Sequence, residues 1–99
     1  MDSKINDTIL EVLKPYNPIE VALFGSYARG TETKDSDIDI AVEFPRGFTL
    51  FDMGAILNDF KEIHKLNIDL VDFRGMSDKF KRAITPDLKY IYRSVQQSA

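Results

Sequence analysis

The chain has 99 residues, 43% hydrophobic and 29% charged, which fits a single domain over residues 1–99 with one modest core. Its 13 Lys and Arg against 16 Asp and Glu give a formal net charge of -3, so no overall positive field exists to attract nucleic acid in general. The absence of cysteine excludes a disulfide scaffold and a thiolate zinc site, which leaves carboxylate oxygens and His64 as candidate metal ligands.

Neither a membrane span nor a signal peptide is visible in the sequence. No apolar run approaches the roughly 18 residues that cross a bilayer, and the first residues lack the apolar core of a signal peptide. We therefore expect a soluble, cytoplasmic protein with no membrane partner.

The first predicted element is a helix. Apolar residues recur at helical spacing at Ile5, Ile9, Val12 and Leu13, and Pro15 should end the helix near Lys14. Asp2 or Ser3 is available as its N-cap.

A strand and a tight turn follow. Residues 19–24 are apolar and rich in strand formers, and this run stops abruptly at Gly25-Ser26. Tyr27 to Arg29 are predicted to begin a short helix that Gly30 interrupts, and residues 31–36 form a polar loop.

Residues 37–44 alternate strictly between polar and apolar and predict a second strand. Ile38, Ile40, Val42 and Phe44 should share one face, with Asp37, Asp39 and Glu43 on the other.

The segment after this strand predicts a helix. Thr49 and Asp52 resemble a capping box. The apolar stripe predicted for the helix contains Leu50, Met53, Ile56, Leu57, Phe60 and Ile63.

The last third of the chain predicts a strand over 67–72, a helix from its cap Ser77 to about Ile84, and a final strand or helix over 88–92. Strands separated by helices indicate an α/β (α+β) domain with a small mixed sheet of three to four strands flanked by helices.

Asp37 and Asp39 form the first candidate site. Two residues apart on a strand, their side chains point the same way and can grip one metal ion. Magnesium accepts a few carboxylates completed by substrate phosphates. The alternative is a solvated acidic face without a ligand.

The Gly25-Ser26 turn is the second candidate site. Gly25 lets backbone approach an anion, Ser26 offers a hydroxyl, and free amides at a helix start favour phosphate. An ordinary turn with a serine N-cap is the alternative.

Taken together, the two motifs resemble a known family. Gly25-Ser26, ten intervening residues and then Asp37-Ile38-Asp39 resembles the polymerase-beta type of nucleotidyltransferase, and residues 24–30 are typical of its minimal bacterial and archaeal members. The resemblance implies the nucleotidyltransferase fold and a third carboxylate on a neighbouring strand. Asp69 is the residue we choose, with Asp72 as its competitor on the opposite face.

The resemblance also implies a reaction and its cofactors. Asp37, Asp39 and Asp69 are expected to hold two Mg²⁺ ions, with Mn²⁺ as the alternative, and ATP or another nucleoside triphosphate is the expected nucleotide. Asp69 is also a candidate general base. Arg29 either meets phosphate, braces the acidic strand or is an exposed helical arginine.

Minimal members of this family resemble the antitoxin of toxin–antitoxin pairs, which adds adenylate to a tyrosine of a HEPN ribonuclease. That is the leading interpretation of the function. Two alternatives stay open: a binding module that masks its partner without transfer, and a stand-alone transferase acting on a small hydroxylated molecule as a homodimer.

Overall fold

The computed structural model describes residues 3–94. Its helices and strands, in chain order, are α1 (Ser3–Leu13), β1 (Glu20–Phe24), α2 (Gly25–Arg29), β2 (Ile38–Glu43), α3 (Leu50–Asn58), β3 (Ile68–Asp72), α4 (Asp78–Ile84) and β4 (Lys89–Arg93). Residues 88–92, for which the sequence predicted either a strand or a helix, thus belong mainly to the strand β4. Within the described residues, no helix has both the length and the apolar character to cross a membrane.

The four strands form one mixed sheet in the order β3-β2-β1-β4. β1 runs antiparallel to both β2 and β4, whereas β2 and β3 are parallel. Helices cover both faces of the sheet, which confirms the predicted α+β fold. The central position of β1 and β2 explains why most of their residues are buried.

α1 begins at Ser3 and ends where the sequence predicted. Ile9, Val12 and Leu13 are buried on one side of the helix. Pro15 lies in the single 3₁₀ turn Lys14–Tyr16 that follows, because its ring and missing N–H cannot continue an α-helix. Of the two proposed caps, Asp2 lies outside the described residues.

β2 shows the alternation read from the sequence. Ile38, Ile40, Val42 and Phe44 are buried against α1 and α3, and the Phe44 ring stacks on Phe48 with centroids 3.6 Å apart. Complete burial of a side chain such as that of Phe44 contributes roughly 1.5–3 kcal/mol.

The opposite face of the sheet is covered by α4. Ala41 is also fully buried there, together with Phe24 and Ile84. The Ser77 hydroxyl caps α4 by accepting the Phe80 N–H at 3.0 Å, as predicted. The core therefore has two unequal layers, and the acidic side of β2 faces the smaller one.

The apolar stripe predicted for α3 is only partly correct. The Thr49–Asp52 capping box is present, and Ile56 and Phe60 are fully buried. Leu50 is 88% exposed, because it lies about 120° around the helix from Ile56. Ile63 is 66% exposed, since the π-helical turn Asp59–Ile63 breaks the 3.6-residue period.

Candidate active site

The turn between β1 and α2 fits tightly against the acidic strand. Gly25 has φ +70°, a left-handed conformation that favours glycine. A Cβ at this position would overlap Oδ2 of Asp39. The glycine therefore allows the Gly25-Ser26 turn to lie directly against the Asp39 carboxylate.

α2 holds Ser26 and Arg29 beside this turn. Phe24 is in extended conformation and α2 starts at Gly25, two residues earlier than the sequence indicated. Gly30 ends the helix with φ +76°, and the Thr31 N–H donates to the Ser26 carbonyl at 3.0 Å. Ser26 is half-buried, and Arg29 projects from the last turn.

The three predicted aspartates lie at one end of the two parallel strands. Asp39 pairs in register with Asp69 across β2 and β3, and Phe24 is its partner on β1. Asp37 precedes β2 by one residue rather than lying within it. Asp37 and Asp69 are exposed, whereas Asp39 is half-buried.

Asp39 experiences the crowding of these like charges. Partial burial is the main cause that raises the pKa of Asp39, and the neighbouring charge of Asp69 adds to it. A hydrogen bond with Asp69 and the charge of Asp37 raise the pKa of Asp39 further, whereas the Arg29 charge opposes the change. The cluster thus has an excess of negative charge that a cation would relieve.

Asp72 lies away from this cluster. It pairs with Val42, three positions further along β3 than Asp69. Its side chain accepts the Arg74 N–H at 2.9 Å and so caps the turn Phe73–Gly75. Of the two candidates for the third carboxylate, the fold therefore brings Asp69 to Asp39.

Arg29 has a partner that sequence reasoning missed. Its Nη1 donates to Oδ2 of Asp87 at 2.9 Å, which joins α2 to the 3₁₀ turn Thr85–Asp87 before β4. No sequence pattern links two residues 58 positions apart. Only the packing of that turn against α2 brings them together.

The donor chemistry of the acidic cluster fits a hard divalent cation. Its side-chain ligands are carboxylate oxygens, which Mg²⁺ and Mn²⁺ prefer. His64, the other ligand type considered, lines a separate cleft with Lys4, Ile5 and Thr8. Over residues 3–94, no three His, Asp or Glu side chains form a ready-made metal group, so substrate oxygens would have to complete the ligand set.

A cavity opens beside Asp37. Its volume is about 310 Å³, and Leu57, Lys61, Leu66, Asn67 and Ile68 complete its lining. Three of its lining residues are polar and three are apolar, so it could receive a side chain or ring that ends in a polar group. The cavity therefore adds a binding space next to the acidic cluster.

A mixed sheet with carboxylates on two parallel strands beside a Gly-Ser turn is the arrangement of a nucleotidyltransferase. The family model described as "Polymerase beta, Nucleotidyltransferase" matches residues 7–97. This chain therefore belongs to the polymerase beta nucleotidyltransferase family, and it is a nucleotidyltransferase.

Relatives and solved structures agree with this assignment. Protein MJ1379 of Methanocaldococcus jannaschii, provisionally named a protein adenylyltransferase, is 39% identical over 79 residues, 77% of this chain and 79% of that protein. A toxin–antitoxin crystal structure with AMP-PNP is similar, with a TM-score of 0.78, 25% identity, and coverage of 90% of this chain and 73% of that one.

A further solved structure shares the fold. It contains a tri-AMPylated Shewanella oneidensis HEPN toxin in complex with a minimal nucleotidyltransferase antitoxin. The TM-score is 0.74 at 22% identity, and the match covers 95% of this chain and 74% of that one.

Proposed function

We propose that this nucleotidyltransferase transfers AMP from ATP to a hydroxyl group of a partner protein, and that it acts as the antitoxin of a HEPN toxin. The observation that carries the proposal is the pairing of Asp39 with Asp69 beside the Gly25-Ser26 turn. That arrangement puts a phosphate-compatible turn and the carboxylates of two strands at one place.

Asp37, Asp39 and Asp69 would hold Mg²⁺ in the working enzyme. When bound, the cation neutralises charge on the phosphate oxygens and on the carboxylates. The crowding that raises the pKa of Asp39 supports this role, since carboxylates of like charge need a cation near them.

The reaction we propose is a displacement at the α-phosphorus of ATP. The acceptor oxygen forms a bond to this phosphorus while the bond to the bridging oxygen of the β-phosphate breaks, and pyrophosphate leaves. Asp69 accepts the hydroxyl proton, since its exposed carboxylate lies in register beside Asp39 on the neighbouring strand. Ser26 and Arg29, both on α2, bind the triphosphate.

Two features support a protein acceptor. Leu50 and Phe51, at the start of α3, are 88% and 90% exposed, which is unusual for adjacent large apolar side chains and typical of a surface that binds protein. Leu57 of the same helix lines the cavity beside Asp37. A partner that extends along α3 from Leu50 to Leu57 would therefore reach the cavity beside Asp37, although α3 packs on the face of the sheet opposite to Asp39.

The similar proteins support the same class of acceptor. MJ1379 bears the name of a protein adenylyltransferase, and the Shewanella antitoxin is bound to a tri-AMPylated HEPN toxin. The resemblance implies a tyrosine acceptor, and we propose the same acceptor for this chain. Leu57, Leu66 and Ile68 in the cavity beside Asp37 suit an aromatic ring, and the polar residues of the same cavity suit its hydroxyl.

A second candidate function is neutralisation by masking. The exposed Leu50–Phe51 pair would serve a protein that simply covers its partner as well as one that modifies it. The two functions differ in stoichiometry, since a catalyst acts below one molecule per partner molecule. A masking protein must match the concentration of its partner.

The test combines the purified HEPN partner, ATP and Mg²⁺ with a sub-stoichiometric amount of this protein. Mass spectrometry should show adenylate on a partner tyrosine, and omission of Mg²⁺ or addition of a chelator should abolish it. As a control, Asp7→Asn removes one negative charge from the exposed side of α1 and should transfer AMP at the wild-type rate. An unmodified partner that is neutralised only at equal concentration would favour masking.

A further inference from the structure

The ion pair between Arg29 and Asp87 connects the candidate active site to a distant part of the chain. Arg29 lies in the last turn of α2, the helix that starts at Gly25. Asp87 ends the 3₁₀ turn before β4. Their 2.9 Å contact is a charge-assisted hydrogen bond, so it fixes both direction and distance.

The exposure of the pair argues against a role in stability alone. The Arg29 side chain is 50% exposed and that of Asp87 is 31% exposed. Ion pairs in such positions contribute little to folding. An unpaired arginine, in contrast, samples many rotamers, and restricting it costs side-chain entropy. The main effect of Asp87 is therefore on where the guanidinium lies.

Asp87 is itself held by a stiff turn. Pro86 occupies the first turn of this 3₁₀ segment, and the Leu88 N–H donates to the Thr85 carbonyl at 3.2 Å. The Thr85 hydroxyl donates to the Lys81 carbonyl at 2.6 Å and ties the turn to α4. A carboxylate on such a turn can fix the position of its partner.

The guanidinium lies within electrostatic reach of the acidic cluster. Its charge acts on Asp39 against the repulsion from Asp69 and Asp37. A triphosphate that approaches the Gly25-Ser26 turn meets the same negative charges, so a fixed cation at the end of α2 would offset part of the repulsion.

We propose that Asp87 is a positioning residue that holds the Arg29 guanidinium, through their ion pair, where it binds the triphosphate of the nucleotide. The inference rests on the proposed nucleotide site and adds a residue to it. Asp87 itself contacts no substrate. Its effect on nucleotide affinity is transmitted entirely by Arg29.

The test is a double-mutant cycle measured on the full chain. AMP-PNP binding with Mg²⁺ is followed by calorimetry, and KM and kcat by AMP transfer, for the wild type, Asp87→Asn, Arg29→Ala and the double variant. Asp87→Asn should raise both the Kd for AMP-PNP and the KM for ATP about five- to tenfold, with kcat changed less than twofold. Arg29→Ala should have an equal or larger effect, and the double variant should match Arg29→Ala alone.

Two further variants provide the controls. Asp87→Glu keeps the charge and should restore most of the affinity. Glu20→Gln removes the ion pair between Oε1 of Glu20 on β1 and Nε of Arg93 on β4, which lie 3.4 Å apart. This variant should leave nucleotide binding unchanged. Thermal unfolding of each variant, together with the side-chain NMR signal of Arg29 Nε, separates a moved guanidinium from a damaged fold.

The outcomes distinguish this inference from the proposed function. Wild-type affinity in Asp87→Asn, or additive effects in the double variant, would overturn the role of Asp87. A wild-type protein that binds AMP-PNP but transfers no AMP would contradict the proposed function. The double-mutant cycle of AMP-PNP binding would still test the positioning role of Asp87. A wild-type protein that does not bind AMP-PNP would overturn both.

Discussion

Asp39 and Asp69 are in-register partners on the parallel strands β2 and β3, and the charge of Asp69 helps to raise the pKa of Asp39. In-register partners on neighbouring strands project to the same face of a sheet. Two residues 30 positions apart thus form one acidic pair. Asp37, one residue before β2, adds a third carboxylate to this pair. Gly25, which follows β1, lies directly against the Asp39 carboxylate.

The roles of Asp69 and Asp72 can be separated by matched substitutions. Asp69→Asn should reduce AMP transfer at least about 100-fold, because it removes both a cation ligand and the acceptor of the hydroxyl proton. Asp72→Asn should stay within twofold of the wild type, since an asparagine oxygen can still accept the Arg74 N–H. Initial rates with labelled ATP measure both, and equal losses in the two variants would contradict the assignment.

A side chain at Gly25 should be destabilising both because of the positive φ and because of contact with Asp39. Gly30 has a positive φ without such a contact, so it separates the two effects. Gly25→Ala adds the cost of φ +70° and a clash with the Asp39 carboxylate, whereas Gly30→Ala, at φ +76°, meets nothing within 4 Å. We expect Gly30→Ala to lower stability by about 1 kcal/mol and Gly25→Ala by about 1–3 kcal/mol, with loss of transfer in Gly25→Ala alone. Urea unfolding and transfer rates provide the measurement, and similar behaviour of the two variants would argue against a close fit at Gly25.

Much of this fold could be predicted from local pattern. The alternation along β2, the stop at Pro15 and the two helix caps at Thr49 and Ser77 each depend on residues close in sequence. The exposed positions of Leu50 and Ile63 could not be predicted, because they depend on helix orientation and on a π-helical turn that no local pattern signals.

The site was predictable for a different reason. Gly25, Ser26, Asp37 and Asp39 form a spaced motif, whereas Asp69 could be placed only by resemblance and by the strand that carries it. The choice against Asp72 required the register between β2 and β3. Asp87 required the packing of the turn before β4 against α2, which is a long-range contact without a sequence signal.

The raised pKa of Asp39 predicts a pH dependence of stability. The folded state holds this proton more tightly than the unfolded state, so the stability contributed by Asp39 falls as the pH rises from 3.8, the ordinary pKa of an aspartate, through its raised pKa. Above that window the charged cluster is a constant penalty. Asp39→Asn should therefore be more stable than the wild type at pH 7, and the difference should shrink towards pH 4.

Urea unfolding at a series of pH values without divalent cations measures this difference. Asp7→Asn, with an exposed carboxylate, is the control and should show no comparable gain at pH 7. A wild type as stable as Asp39→Asn throughout this range would contradict charge crowding at Asp39.

The exposed apolar pair on α3 should matter for partner binding and not for folding. Leu50→Ser combined with Phe51→Ser should weaken binding of the partner protein by at least about tenfold, because exposed aromatic and aliphatic anchors dominate protein interfaces. Thermal stability should change little, since neither side chain is buried. Phe80→Ser, at a 39% exposed residue of α4, tests whether any loss of an exposed ring has the same effect.

Transfer of AMP by a protein that lacks the carboxylates of Asp37 and Asp39 tests the central claim most directly. Wild type and the Asp37→Asn, Asp39→Asn double variant are incubated with labelled ATP, Mg²⁺ and the HEPN partner, and label on the partner is counted after separation. We expect the wild type to label the partner. The double variant, once thermal unfolding and circular dichroism have shown that it is folded, should leave the partner unlabelled. Equal labelling by the two proteins would contradict an acidic centre on β2 and β3 as the site of nucleotide transfer.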